Sequence, residues 1–267
     1  MSISRSHWIF GAALVMASPM RVVSSQSLSP TLARLSSDDA VVRAAALEQL
    51  TARAATDRFA LCSPSASNEI KASLIAALEK ENIAIHSKRW GEDEGDFHAS
   101  LIGCVAALRD NRGAHALVGA IDTGWGALYG IFDLGDAAVP EVAAALRDPT
   151  SRSTARMAAA TTLGMFVGQA LPKPVPGQRW VGPKPVSTAS RAMIRESLIA
   201  ALVDKNPMVG SAAVTSLGAF SGDDISRAIL AAAKSDSGIQ FGSSARKFPV
   251  KEAARTWLRQ DSLKIKK

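Results

Sequence analysis

The chain has 267 residues and a formal net charge of +7 at pH 7, with 47% hydrophobic and 5% aromatic residues. The excess charge is concentrated: from Arg246 onward eight cations (Arg246, Lys247, Lys251, Arg255, Arg259, Lys264, Lys266, Lys267) face only Glu252 and Asp261. The remainder is close to neutral, so a nucleic-acid groove running the length of the chain is not supported.

Residues 1–25 begin with a basic start at Arg5, continue through an apolar core from Trp8 to Ala17, and end in small residues. This is the pattern of a secretory signal peptide, too short to span a bilayer comfortably, and it places residues 26–267 in an exported compartment, periplasmic or secreted. The rest reads as successive helix pairs. The first occupies 28–55, opened by Ser29-Pro30, with Ser37 or Asp38 capping its second helix. A second runs from Ser67 to about Arg109 and carries an inserted acidic loop around 91–98, with Glu92, Asp93, Glu94 and Asp96. Short elements follow at 112–122 and 124–134, where Gly124, Gly126 and Gly130 punctuate a helix with Trp125 and Tyr129. No strand precedes these glycines, so they point to close helix contact rather than a nucleotide loop.

The stretch 136–164 is the most regular. Val139, Val142, Ala143 and Leu146 fall at i, i+3, i+4 and i+7, one buried stripe, while Glu141 and Arg147 face away. Pro140 suits the first turn, Asp148-Pro149 ends the helix, and Ser151 or Ser153 can cap a second helix. Its stripe is Ala155, Ala158, Ala159, Thr162, Leu163 and Phe166. Residues 169–186 hold five prolines and form an extended inserted loop. Two further pairs occupy 187–220 and 223–262, the latter with a loop at 236–247, and 246–267 forms a basic cap.

The pairs repeat. Val42-Arg43-Ala44-Ala45-Ala46 lines up with Ala155-Arg156-Met157-Ala158-Ala159, Val209-Gly210-Ser211-Ala212-Ala213 and Val250-Lys251-Glu252-Ala253-Ala254, which predicts Ala45, Ala158, Ala212 and Ala253 buried between helices. Ile70–Asn82 matches Ile194–Asn206 at 8 of 13 positions, an offset of 124 residues or three periods of about 41. On these residues the chain resembles the HEAT-repeat family, including the HEAT-like repeats of phycobilisome lyases. The resemblance covers most of residues 28–262. It implies an all-α protein, an α-solenoid of about six two-helix repeats in an armadillo-type superhelix, and a non-catalytic scaffold that binds a protein partner.

Functional residues are sparse. No G-x-S-x-G elbow, G-K-[ST] phosphate loop or H-E-x-x-H motif occurs, and no catalytic, cofactor-binding or metal residue is assigned. The alternative is an enzyme or enzyme subunit, lyase-like or metal-dependent, with a site near the 91–98 acidic loop and the 124–130 helix. His86 and His98 flank that loop and could form a weak metal site with Asp93 or Asp96, or simply be surface residues. Arg179 and Trp180 sit in the Pro-rich loop, either as a recognition tip for the partner or with the tryptophan folded back on the helices. The basic C-terminus is either a solubilising cap or a contact for an anionic surface. Cys62 and Cys104, 42 residues apart, can form a disulfide in an exported protein or remain buried thiols.

Overall fold

A computed structural model describes residues 29–56, 62–87, 92–168, 183–240 and 244–265. The signal-peptide stretch lies outside these residues, as do Arg179 and Trp180. The described residues are all-helical: twelve helices, three short 3-10 turns and one isolated antiparallel bridge between Ile239 and Lys247. The helices are α1 (Ser29–Arg34), α2 (Ala40–Thr56), α3 (Asn68–Ser87), α4 (Glu92–Leu108), α5 (Ala114–Gly119), α6 (Trp125–Leu134), α7 (Val139–Arg147), α8 (Ser153–Phe166), α9 (Thr188–Ala201), α10 (Pro207–Ser216), α11 (Asp223–Ser235) and α12 (Pro249–Ile265).

Each odd-numbered helix packs on the even one that follows it, and contacts also run between alternate helices. The odd helices α1, α3, α5, α7, α9 and α11 touch in sequence; among the even ones, α2 meets α4, α4 meets α6, α8 meets α10 and α10 meets α12. Phe132 of α6 and Phe166 of α8 meet edge to face, with ring centroids 5.3 Å apart. One continuous core results, to which each fully buried leucine, isoleucine or valine contributes roughly 1.5–3 kcal/mol.

Local chemistry sets the helix boundaries. Pro140 lies in the first turn of α7, and Val139, Val142, Ala143 and Leu146 are all buried. Beyond Arg147, Asp148 accepts the Thr150 hydroxyl (2.7 Å), the Ser151 hydroxyl (2.7 Å) and the Thr150 N–H (2.9 Å), which hold its carboxyl down to about 2. The start of α2 differs from expectation: Asp39, not Ser37 or Asp38, accepts the Val41 N–H at 2.8 Å. Neither Ser151 nor Ser153 caps α8, whose N-cap is Arg152 with no side-chain cap bond.

The aligned alanines also need correction. Ala45 is exposed and Ala158, Ala212 and Ala253 are only half-buried; the fully buried residues are their successors Ala46, Ala159, Ala213 and Ala254. One residue is about 100° of helix rotation, so the buried face at all four places is turned by one position from the expected one. Leu258, aligned with the buried Leu163 and Leu217, is 37% exposed, because α12 has no further helix packed over it among the described residues.

The glycines of α6 do permit close approach. A Cβ on Gly130 would fall 2.8 Å from Ala106 Cβ and 2.8 Å from Leu117 Cδ1, and one on Gly126 would fall 3.2 Å from Ile102 Cγ2. Cys62 and Cys104 are joined, with Cα atoms 4.9 Å apart, which ties the segment leading into α3 to the middle of α4.

Two buried arginines, at matching positions of the repeat, clamp one helix pair to the next. Arg156 donates from Nε to Asp204 Oδ2 (2.8 Å) and from Nη2 to Asp204 Oδ1 (2.9 Å), and its Nη1 reaches the Ser151 carbonyl. Arg43 donates to the Ser37 and Asp38 carbonyls (3.1 and 3.0 Å) and from Nη2 to Glu81 Oε1 (3.3 Å). Its Nε stands 3.2 Å from Glu81 Oε2, close enough for an ion pair but not aligned as a hydrogen bond. In α10 the same position is Gly210, whose Cβ would fall 2.9 Å from the Leu202 carbonyl oxygen; the α9–α10 junction has no room for a side chain there.

Candidate functional site

The helices divide sharply by charge. The odd helices α3, α7, α9 and α11 carry acids and bases on their outer sides, including Glu79, Lys80, Glu141, Arg147, Arg195, Glu196, Asp224 and Arg227. Four of the even helices do not, although α2 (Glu48) and α12 (Lys251, Glu252, Arg255, Arg259) do. From Phe97 onward in α4, and throughout α6, α8 and α10, the only Asp, Glu, Lys or Arg residues are Asp133 and Arg156. Asp133 is paired with Arg109 at 3.1 Å, and Arg156 is buried against Asp204.

What these helices expose is small and neutral: Ala99, Ser100, Gly103 and Ala107 on α4, and Thr215 on α10. Met157, Ala158 and Thr161 of α8 are half-buried. Larger apolar groups punctuate the surface, with Trp125 51% exposed beside Tyr129 and Met208 39% exposed. Single exposed apolar residues are ordinary on a surface; what sets Trp125 apart is the lack of charge around it. The signal was present in the sequence as runs without a charged residue, at 97–108, 123–132, 157–172 and 206–222.

A second concavity lies on the odd side. A groove of about 620 Å³ runs between α3 and α5, lined by Glu79, Asn82, Ile83, His86, His115 and Gly119 among others. At its floor Asn82 Nδ2 donates to the Ala116 carbonyl (2.8 Å), and its Oδ1 lies 2.8 Å from Nε2 of the buried His98. Burial, with the charge of His86 adding to it, pushes His98 down to about 4. His86 is also lowered, by burial first and then by Arg152, which hydrogen-bonds its Nε2 and donates to Asp122 at 2.8 Å. With Nε2 accepting from Arg152, the lone pair that a general base would use is engaged. His115, at the rim, pairs with Glu141 at 3.1 Å.

No protein-family model matches the chain, and no curated protein matches it. Function must therefore be argued from these surfaces.

The residues singled out from the sequence fall in different places. The acidic stretch around 91–98 is not a loop from Glu92 onward but the beginning of α4. His98 faces inward to Asn82 while Asp96 is exposed, so the two do not converge, and no group of three or more potential metal ligands occurs among the described residues. The 124–130 segment packs on α4 through its glycines. The insertion bearing Arg179 and Trp180 leaves α8 at Gly168 and rejoins α9 beside the α6–α7 junction, where Lys184 Nζ bonds the Asp133 carbonyl and the Ser187 N–H donates to Asp136 at 2.9 Å.

Proposed function

We propose that this chain is an exported, non-catalytic HEAT-like scaffold, an α-solenoid of about six two-helix repeats, that binds a protein partner along its even-numbered helices. The observation that carries the reading is the absence of unpaired charge along α6, α8, α10 and α4 from Phe97 onward, with Trp125, Tyr129 and Met208 standing on that surface. A protein surface with little charge to desolvate and an aromatic anchor is suited to a protein interface, where such anchors supply most of the binding energy. In a superhelix of the armadillo type the second helix of each pair forms the inner wall, which is where a partner would be held. The alternate-helix contacts support this arrangement. The signal-peptide pattern of 1–25 and the Cys62–Cys104 disulfide both suit an oxidising compartment outside the cytoplasm. Arg179 and Trp180 remain the second proposed contact, reaching the partner from the insertion.

The test is crosslinking in the envelope of the exporting cell, comparing wild type with Gly103→Arg and Trp125→Ala. Nothing lies within 4 Å of a Cβ placed on Gly103, so an arginine there adds bulk and charge to the surface without a clash at its root. Loss of the crosslinked species in both variants, at unchanged melting temperature, is the expected result. Retention in both would refute the use of this face, and a parallel Trp180→Ala variant reads the contribution of the insertion.

A further inference from the structure

The uncharged side of the even helices ends at α10, and there it meets a groove of about 520 Å³ between α10 and α12. Met208 and Thr215 form one wall, Pro249 and Thr256 the other, and Ile239 and Trp257 contribute apolar surface. The two described ends of the loop that borders the groove are held together. Ile239 and Lys247 exchange backbone hydrogen bonds of 2.8 Å each, Arg246 donates to the Ser237 carbonyl at 3.1 Å, and Asp236 accepts the N–H groups of Gly238 (2.9 Å) and Lys251 (3.0 Å).

Cations predominate around this groove. Arg246, Lys247, Lys251 and Arg255 are all exposed, and none of them is in an ion pair among the described residues. Upstream, Arg43, Lys71, Lys80, Arg109, Arg112, Arg152, Arg156 and Arg195 each have a carboxylate partner, and Arg147, Lys184, Lys205 and Arg227 bond backbone carbonyls, so what distinguishes this end is the clustering of four exposed cations. On α12 the groove is lined by positions 249, 252, 253, 256 and 257, a helical stripe, and Lys251 and Arg255, spaced i, i+4, form the row beside it. Glu252 is the one carboxylate on the wall. Asp236 accepts two backbone N–H groups, and with Glu252 it leaves the four cations in excess around the groove rather than balanced.

We propose that the α10–α12 groove receives an acidic peptide segment of the partner, with apolar side chains entering the cleft and carboxylates meeting Arg246, Lys247, Lys251 and Arg255. The inference rests on the scaffold reading and adds the chemistry of the partner. A concave cleft rimmed by cations suits a chain that alternates apolar and acidic groups; a lipid surface, being flat, would meet the basic row and leave the cleft unfilled.

The experiment uses purified protein and a short fluorescein-labelled peptide alternating glutamate with leucine and phenylalanine, read by anisotropy. A peptide with lysine in place of glutamate, and vesicles of phosphatidylglycerol, are the comparisons. The acidic peptide should bind saturably and the lysine peptide should not. Thr215→Glu, an exposed position on the groove wall, and Lys251→Glu with Arg255→Glu should each weaken binding by about tenfold or more, with helicity unchanged by circular dichroism. Equal binding of the two peptides, no binding of either, or tighter binding to vesicles than to the acidic peptide overturns the proposal. So does a Thr215→Glu variant that binds as wild type while the charge reversals abolish binding, because that outcome describes a basic surface without a groove. The crosslinking assay separates the two levels of inference. If Gly103→Arg loses the partner and Thr215→Glu keeps it, the groove assignment falls and the scaffold stands; if both keep it, the scaffold reading itself falls.

Discussion

Replacing Arg156 by Met should lower the stability of the fold by about 3 kcal/mol, the lower end of the range for breaking a buried ion pair. The guanidinium is 1% exposed and its two bonds to Asp204 are 2.8 and 2.9 Å, a fork that water cannot replace. Methionine fills most of the volume of the arginine stem, so the cost is electrostatic rather than a cavity. What remains behind is a carboxylate whose side chain is 12% exposed, still accepting the Asn206 N–H at 2.7 Å, and a Ser151 carbonyl without its donor. That residual hydration places the expectation at the lower end. Urea unfolding followed by circular dichroism gives the number. The double variant Arg156→Met/Asp204→Asn removes the stranded charge and should recover about 1–2 kcal/mol relative to the sum of the two single changes. A single-variant loss below about 1 kcal/mol, or strict additivity in the cycle, would show that the clamp between the α8 and α9–α10 regions is not energetically coupled as the geometry requires.

Acid should act through His98. Its folded pKa of about 4 lies below the ordinary 6.5, so the unfolded chain binds a proton more readily, and stability that is full above about pH 6.5 is lost as pH falls towards 4. His86, also lowered, adds to the same window, and His98→Gln should flatten much of the loss in a pH series of urea midpoints; an unchanged profile would refute the assignment. A pair of glycine variants tests the packing of α4 and α6. Gly103→Ala, with open space around its Cβ, should stabilise by roughly 0.5–1 kcal/mol through helix propensity. Gly130→Ala should destabilise despite the same propensity gain, because its Cβ would stand 3.1 Å from the Ala106 backbone; equal effects at both sites would mean that the two helices are not in close contact.

Much of the helical plan was legible because periodicity is local. Val139, Val142, Ala143 and Leu146 announce their face within two turns, and Asp148-Pro149 announces its end. The errors have equally specific causes. Ala45 and Ala46 both look like interior residues of a helix, and only the packing of neighbouring helices decides which of two adjacent alanines turns inward. The stretch from Glu92 to Asp96 reads as a loop because it is charged, whereas the chain is already helical from Glu92. Arg43 and Arg156 stood out as matching positions, but their partners Glu81 and Asp204 lie 38 and 48 residues onward, in the next helix pair, where no local rule connects them. The candidate face was hidden for a different reason: it is defined by missing charges on four separate helices, and their adjacency exists only after folding.

The covalent bond between Cys62 and Cys104 has a mechanical meaning. A helical chain pulled from its two ends lengthens as its helices unravel. The bond removes the stretch between the two cysteines from that lengthening. At roughly 3.4 Å per residue, 42 residues of separation withhold about 140 Å of contour length from extension. Under tension the stretch between Cys62 and Cys104 would thus stay a closed loop while the chain on either side lengthens.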